Sequence, residues 1–119
     1  MKAINLIEKY NSFHDYWNPR VVTELNGQQL KLVKVKGELI WHKHELEDEL
    51  FYVIKGELKI CLEDSEVIIK EGELFTVPKG VEHKPIAKNE CWLILFEPSG
   101  TKHTGDQHCE QTVSTFKWV

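Results

Sequence analysis

Short apolar runs rich in Val, Ile, Leu and aromatic residues recur along this chain about every eight to twelve residues, with Gly, Pro, Asn or Asp between them. This pattern is typical of an all-β sandwich or barrel, and it predicts little helix. The predicted strands cover residues 21–25, 29–36, 39–44, 49–54, 57–62, 67–70, 74–77 and 91–96.

Turn-forming residues separate these runs. Asn26-Gly27 supplies the positive φ of a tight hairpin turn, so the strands on either side of it are predicted to pair. Residues 4–13 fit either a helical turn or an extra strand, and the pattern does not decide between the two. Residues 98–112 are polar and are expected to run over the surface. The other predicted turns are Lys55-Gly56, Asp64-Ser65, Glu71-Gly72, Pro78-Lys79-Gly80 and Lys88-Asn89.

The composition is that of one globular domain spanning residues 1–119, with 41% hydrophobic and 29% charged residues. The net charge is -4 and the basic residues are scattered, so we expect no nucleic acid partner. Asn5 and Glu8 interrupt the first apolar run, which argues against a signal peptide or membrane span and for a cytoplasmic protein. The three cysteines are far apart and indicate neither a disulfide framework nor a thiolate zinc site.

One pair of histidines stands out. His42 and His44 are two residues apart in a predicted strand, so both imidazoles leave the same face and can converge on one ion. After an acidic turn the next strand begins at Glu49, which alternation places on one face with Phe51 and Val53. If the two strands pair across that turn, the carboxylate lies beside the imidazoles.

A further histidine, His83, follows a turn formed by Pro78 and Gly80, so it begins a new strand and can point inward. Three imidazole nitrogens and one carboxylate oxygen suit iron, manganese, nickel, cobalt or zinc, and they leave one or two coordination positions open. Each piece alone has a structural alternative. A His-x-His pair is more often exposed or hydrogen-bonded, and acidic residues 45–49 are typical of a solvated turn. The joint spacing favours the metal site.

This spacing resembles the two motifs of the cupin family. Motif one, residues 37–56, is matched by His42, His44, Glu49 and Gly56, and motif two, residues 72–87, by Gly72, Pro78, Gly80 and His83. Two positions depart from the pattern: four residues instead of five separate Gly37 from His42, and Ala87 stands where the second motif usually ends in Asn. Neither position is a ligand in the family.

The resemblance implies a small all-β jelly-roll barrel, a double-stranded β-helix, with one divalent transition metal held by His42, His44, Glu49 and His83. The chain is similar to small single-domain bacterial cupins of the mannose-6-phosphate-isomerase-like group, which implies a homodimer and no settled reaction. Residues 49–54 and 91–96 are apolar on both faces, which also favours a dimer because a small barrel has one interior. The candidate surface residues are Trp41, Tyr52, Trp92 and Trp118.

Other polar residues are weaker candidates. His14, His103 and His108 lie outside the motifs; His103, His108 and Cys109 suggest a second metal site, but a solvated polar tail is the preferred interpretation. Glu38 is either an acid or base inside the barrel or, as we prefer, a surface carboxylate. The residues expected to line the cavity as part of the core are Phe51, Val53 and Phe75.

Two functions are compatible with the sequence. The first is a metal-dependent enzyme of dioxygenase or isomerase type, in which the ion acts on a small organic metabolite through an open position. The second is a non-catalytic barrel that binds or senses a small molecule and uses the metal to brace the fold. The second is motivated by the absence of a convincing acid or base beyond the ligands.

Overall fold

The computed structural model describes residues 1–119 and contains one short helix and eight strands. Along the chain these are α1 (Leu6–Tyr10), β1 (Arg20–Leu25), β2 (Gln28–Glu38), β3 (Glu49–Lys55), β4 (Glu57–Cys61), β5 (Glu66–Lys70), β6 (Leu74–Val77), β7 (Lys84–Pro98) and β8 (Lys117–Trp118). The all-β prediction is confirmed, and the undecided residues 4–13 hold a helix that Asn5 caps by accepting the Glu8 N–H. No helix is long and apolar enough to cross a membrane.

The strands form one eight-stranded sheet that wraps into a small jelly-roll barrel. Its central strand is β7, which pairs antiparallel with β2, β3 and β4. The predicted hairpin is confirmed, because β1 pairs with β2 across Asn26 and Gly27, and both residues have positive φ. Alternation along β3 buries Glu49, Phe51 and Val53 on one face, as predicted.

Two predictions about strands and turns are wrong. Residues 39–44 form no strand, and this stretch makes only a single bridge, between His42 and His83. The predicted turn at Lys88-Asn89 lies inside β7, where the two residues are exposed and the register with β2 shifts. A bulge can expose polar residues without ending a strand, so a local polar pair looks like a turn in the sequence.

The sheet buries apolar residues on both faces. The barrel interior holds a cluster of fourteen buried residues that includes Val33, Phe51 and Leu93. On the outer face, the ring of Tyr10 stacks on Trp92 with 4.8 Å between ring centroids, and Phe13 packs in the same cluster. Trp92 is therefore covered by the chain's own N-terminal segment, and its assignment to a surface for a second subunit is wrong.

Gly56, between β3 and β4, is expected to tolerate no side chain. Its φ is +89°, and a Cβ there would lie 2.8 Å from the carbonyl oxygen of Glu90. Gly72 has a similar φ of +82° but nothing within 4 Å of the Cβ position, so it is a matched control. We expect Gly56→Ala to lower the free energy of unfolding by about 3 kcal/mol and Gly72→Ala by about 1 kcal/mol. Urea unfolding measures both, and equal losses would contradict a role for the close contact.

Candidate metal centre

The four residues predicted to bind the ion meet inside the barrel. His42 and His44 lie in the irregular stretch before β3, Glu49 is the first residue of β3, and His83 immediately precedes β7. All four are at least 96% buried. Their potential ligand atoms lie within 4.8 Å of one another. The structure therefore brings the four predicted residues together, although the strand expected to carry the first two histidines is absent.

Backbone hydrogen bonds replace that missing strand. The N–H of His42 donates to the carbonyl of His83 at 3.0 Å, and the N–H of His83 donates to the carbonyl of His42 at 2.9 Å. The N–H of Gly80 donates to the carbonyl of His44 at 2.7 Å. These bonds tie the second motif directly to the first, so the two halves of the site are positioned together.

Two of the imidazoles are already oriented to offer Nε2 to an ion. Nδ1 of His42 lies 2.8 Å from the carbonyl oxygen of Ile40, and Nδ1 of His83 lies 2.9 Å from that of Val81. A carbonyl oxygen only accepts, so in the neutral ring each Nδ1 carries the proton and Nε2 keeps its lone pair. A hydrogen bond from the second nitrogen is the usual support of a metal-binding histidine.

Several buried polar atoms at the site lack a hydrogen-bond partner, among them Nδ1 and Nε2 of His44 and Nε2 of His83. Nε2 of His44 lies 3.3 Å and Nε2 of His83 lies 3.7 Å from Oε1 of Glu49, without the geometry of a hydrogen bond. An unsatisfied buried polar group costs about 1–3 kcal/mol. A cation bound by Nε2 of His44 and Nε2 of His83 would remove that cost for these two atoms, so the donor set and its burial fit a divalent transition metal.

Electrostatics favour the protonation states that an ion requires at His42 and Glu49, whereas at His44 burial acts to lower the pKa but the neighbouring Glu49 raises it. Burial, followed by the nearby His83, lowers the pKa of His42 to about 4, so the ring is neutral at pH 7. Burial of Glu49 acts to raise its pKa, but the close contacts with Glu97, His44 and His83 hold that pKa well below the usual range. The site thus presents a neutral imidazole and an ionised carboxylate, which are the forms that bind metals.

A buried pair beside the site was missed by the sequence analysis. Nζ of Lys31 donates to Oε1 of Glu97 at 2.8 Å, and their side chains are 0% and 3% exposed. Burial, followed by the charge of Glu49, raises the pKa of Glu97, while Lys31 acts to lower it. The sequence did carry a signal for Glu97, because this residue continues the alternation that points Leu93 and Leu95 into the barrel. The predicted strand stopped at residue 96, one position too early.

The C-terminal segment, residues 99–119, also packs on the site, so its interpretation as a solvated tail is wrong in part. The N–H of Asp106 donates to the carbonyl of Lys43 at 3.0 Å, and Oδ1 of Asp106 accepts the N–H of Lys43 at 3.1 Å. Thr101 and Thr104 are buried. His103 is partly buried, and burial lowers its pKa to about 4. This segment has no regular periodicity, so no sequence signal placed it over the site.

Most of the remaining candidates lie where the preferred interpretations put them. His14 and His108 are exposed. Glu38 is an exposed carboxylate whose Oε1 lies 2.6 Å from Nζ of Lys84. Of the three residues expected to line the cavity, Phe51 adjoins the candidate ligands, whereas Val53 is buried in the core and Phe75 packs against it from a partly buried position, so the prediction is wrong for these two.

The space next to the candidate ligands is small and mostly apolar. A chamber of about 20 Å³ adjoins His42 and Glu49. That volume is enough for one molecule of the size of water. Its other lining residues are Trp17, Pro19, Val33, Val35, Leu39, Phe51, Pro85, Leu93, Leu95 and His103.

Three imidazoles and a carboxylate enclosed by a small jelly-roll barrel define a barrel protein that could hold one metal ion. The family model for the Cupin domain matches residues 29–91, more than half of the chain and a range that contains all four residues. The chain belongs to the cupin family.

The chain is similar to proteins from several organisms. It is 47% identical to a cupin-2 domain containing protein from Shewanella frigidimarina, with a TM-score of 0.80 over 81% of this chain and 94% of that one. It is 38% identical to YdbB of Bacillus subtilis over 70% of this chain and 74% of that protein. It is also 31% identical to the 3-hydroxyanthranilate 3,4-dioxygenase of Xenopus laevis, over 80% of this chain but only 36% of the enzyme. The chain thus matches about a third of that enzyme's length.

Proposed function

We propose that this cupin is a metal-dependent enzyme of the dioxygenase type that acts on a small organic metabolite. His42, His44, Glu49 and His83 hold the ion. The observation that carries this proposal is the convergence of four buried ligand atoms, with two imidazoles already held in the tautomer that offers Nε2. Three nitrogens and one oxygen leave one or two coordination positions free, and a bound ion there supplies Lewis-acid or redox chemistry.

The surroundings favour chemistry over a purely structural metal. Structural sites are usually closed by four ligands in tetrahedral geometry, whereas this donor set also suits metals with higher coordination numbers. Glu97 and Lys31 place a carboxyl and an ammonium group beside Glu49, so groups that can hold or move a proton are present. The non-catalytic barrel was motivated by the apparent lack of an acid or base beyond the ligands, and the presence of these two groups weakens that argument.

The choice of a dioxygenase over an isomerase rests on a relative's name and on the size of the chamber. The similar segment of the Xenopus laevis protein belongs to a 3-hydroxyanthranilate 3,4-dioxygenase. A chamber of about 20 Å³ is of the size that a diatomic gas or a water molecule needs. We propose iron as the ion, with manganese, nickel, cobalt and zinc as the alternatives that the donor set allows.

Metal analysis followed by oxygen uptake tests this function. Protein purified without added metal is analysed for the five metals, loaded with each in turn, and assayed for oxygen consumption with phenols, enols and diketones. We expect turnover with one metal and its loss in His42→Ala, with the circular dichroism spectrum unchanged. His14→Ala, which removes an exposed histidine, is the control. Metal binding without oxygen uptake for any substrate class would favour the isomerase or the non-catalytic barrel.

We also propose that the chain forms a homodimer through the outer face of β3 and β6. Leu74 is 56% exposed and pairs across these strands with Tyr52, which is partly buried, and an exposed apolar residue beside an aromatic ring suits a subunit contact. Sedimentation velocity is expected to give a dimer that Leu74→Asp converts to a monomer. Ile68→Asp, on β5, is the control at a second exposed apolar position. A wild-type monomer at micromolar concentration would contradict this proposal.

A further inference from the structure

Two cavities of very different size meet at one side chain. The chamber beside the candidate ligands measures about 20 Å³, which is too small for an organic metabolite. A second cavity of about 660 Å³ opens to solvent between the C-terminal segment and the edge of the barrel. His103 lines both cavities, and no other residue does. The outer cavity has the volume that is usual for a small-molecule site, and His103 stands between it and the ligands.

His103 is held in this position by its own segment. Its Nδ1 accepts the N–H of Val113 at 3.0 Å, and its ring meets the ring of Phe116 edge to face, with 6.3 Å between centroids. Phe116 in turn lies under Nζ of Lys31, 3.8 Å from the ring centroid. The imidazole therefore separates the two cavities, and one hydrogen bond and one aromatic contact hold it there. A rotation about its side-chain bonds would connect the cavities.

The outer cavity has a distinct chemistry. Phe116 and Trp118 provide aromatic surface, and Ser114 and Thr115 provide hydroxyl groups. The lining carries one Lys and one Asp, Lys102 and Asp106, whose charges cancel. Aromatic faces together with hydroxyl groups and little net charge suit a hydroxylated ring compound and disfavour a multiply charged ligand such as a polyphosphate.

We propose that the outer cavity binds the organic substrate, a small hydroxylated ring compound of low charge, and that movement of the His103 side chain joins this cavity to the metal chamber, so that the substrate reaches the ligands from the larger space. This inference rests on the proposed function for the identity of the bound molecule as a substrate. The outer cavity and the position of His103 do not depend on a bound metal, so both are tested on metal-free protein. A failure of the metal chemistry is therefore distinguishable from a failure of this inference.

The first experiment tests the cavity with catechol as the probe. Catechol is titrated into metal-free protein while the indole N–H signals are followed by NMR. We expect the Trp118 signal to shift saturably and the signal of Trp41, an exposed tryptophan outside the cavity, to stay unchanged. Inorganic phosphate, the charged probe, is expected to shift neither. No shift at Trp118, or equal shifts at Trp118 and Trp41, would overturn the assignment of the cavity.

The second experiment tests the separation of the two cavities by His103. Diethyl pyrocarbonate, an organic reagent larger than the chamber alone, modifies accessible neutral imidazoles, and peptide mass spectrometry reads the modification of the buried His42, which lines the chamber. His103→Ala is expected to speed that modification about tenfold, since it removes the ring that closes the passage. His103→Phe keeps a ring but loses the nitrogen that Val113 contacts, and it is expected to react as slowly as wild type. His14→Ala is the control for the loss of a histidine.

The variants distinguish a passage closed by the ring of His103 from one that opens because the C-terminal segment is loosened. If His103→Phe reacts as fast as His103→Ala, the lost hydrogen bond rather than the missing ring admits the reagent, and the proposed control by the side chain is wrong. If His103→Ala reacts at the wild-type rate, the passage does not run past His103, and the proposal is wrong as well. Far-ultraviolet circular dichroism and melting temperatures confirm that each variant is folded before its rate is used.

Discussion

Replacing His83 by alanine is expected to weaken the binding of a divalent transition metal by at least about 100-fold, because it removes a proposed ligand outright where loss of a supporting contact already costs 10–100-fold. Nε2 of His83 is a buried nitrogen with no hydrogen-bond partner, and it lies 3.7 Å from Oε1 of Glu49. Competition with a chromophoric chelator gives the dissociation constant of wild type and variant. His14→Ala, at an exposed position, is expected to bind like wild type.

The loss of metal affinity in His83→Ala is also expected to appear in the thermal stability of the protein. Metal at 100 times its dissociation constant stabilises the folded state by about 2.7 kcal/mol if the unfolded chain does not bind it. The melting temperature of wild type should therefore rise by several degrees on metal addition, and that of His83→Ala should stay nearly constant. Unaltered affinity in His83→Ala would show that the ion, if bound, does not use this residue.

Replacing Lys31 by methionine is expected to lower the free energy of unfolding of the metal-free protein by about 3 kcal/mol. Lys31 is fully buried, and its ammonium group faces Glu97, which in turn lies beside Glu49. Without Lys31, nothing opposes the burial and the facing charge that already raise the pKa of Glu97. The penalty therefore arises from two acidic groups left together in the barrel without their cation, and urea unfolding measures it.

A double substitution separates the pair from simple loss of packing. Lys31→Met combined with Glu97→Met removes both charged groups and keeps an unbranched side chain at each position, so most of the lost stability is expected to return. Lys59→Met is the control, because Lys59 forms an ion pair with Glu66 at the surface, where the two side chains are 37% and 58% exposed. Such surface pairs contribute about 0–1 kcal/mol to stability. A double variant no more stable than Lys31→Met would show that the pair is held for its packing.

Much of the barrel could be predicted from the local pattern. The hairpin at Asn26-Gly27 and the alternation of β3 depend on neighbouring residues, and both are as expected. The strand predicted for residues 39–44 failed because this stretch is held by separate backbone hydrogen bonds to residues 80–85 instead of a continuous ladder. The turn predicted at Lys88-Asn89 failed for the opposite reason: β7 continues through these polar residues because β2 pairs with it on both sides of the bulge, at Ala87 and at Cys91.

The sequence by itself determined the identity of the four candidate ligands, because their spacing within two short motifs is a local property. Only the tertiary structure decided what stands beside them. Lys31 and Glu97 are 66 residues apart, and they meet because β2 and β7 are neighbours in the sheet. His103 lies in a segment without a period, and hydrogen bonds between Asp106 and Lys43 hold that segment against the barrel. Local patterns fix which way a side chain points, whereas its distant neighbours depend on how the whole chain closes.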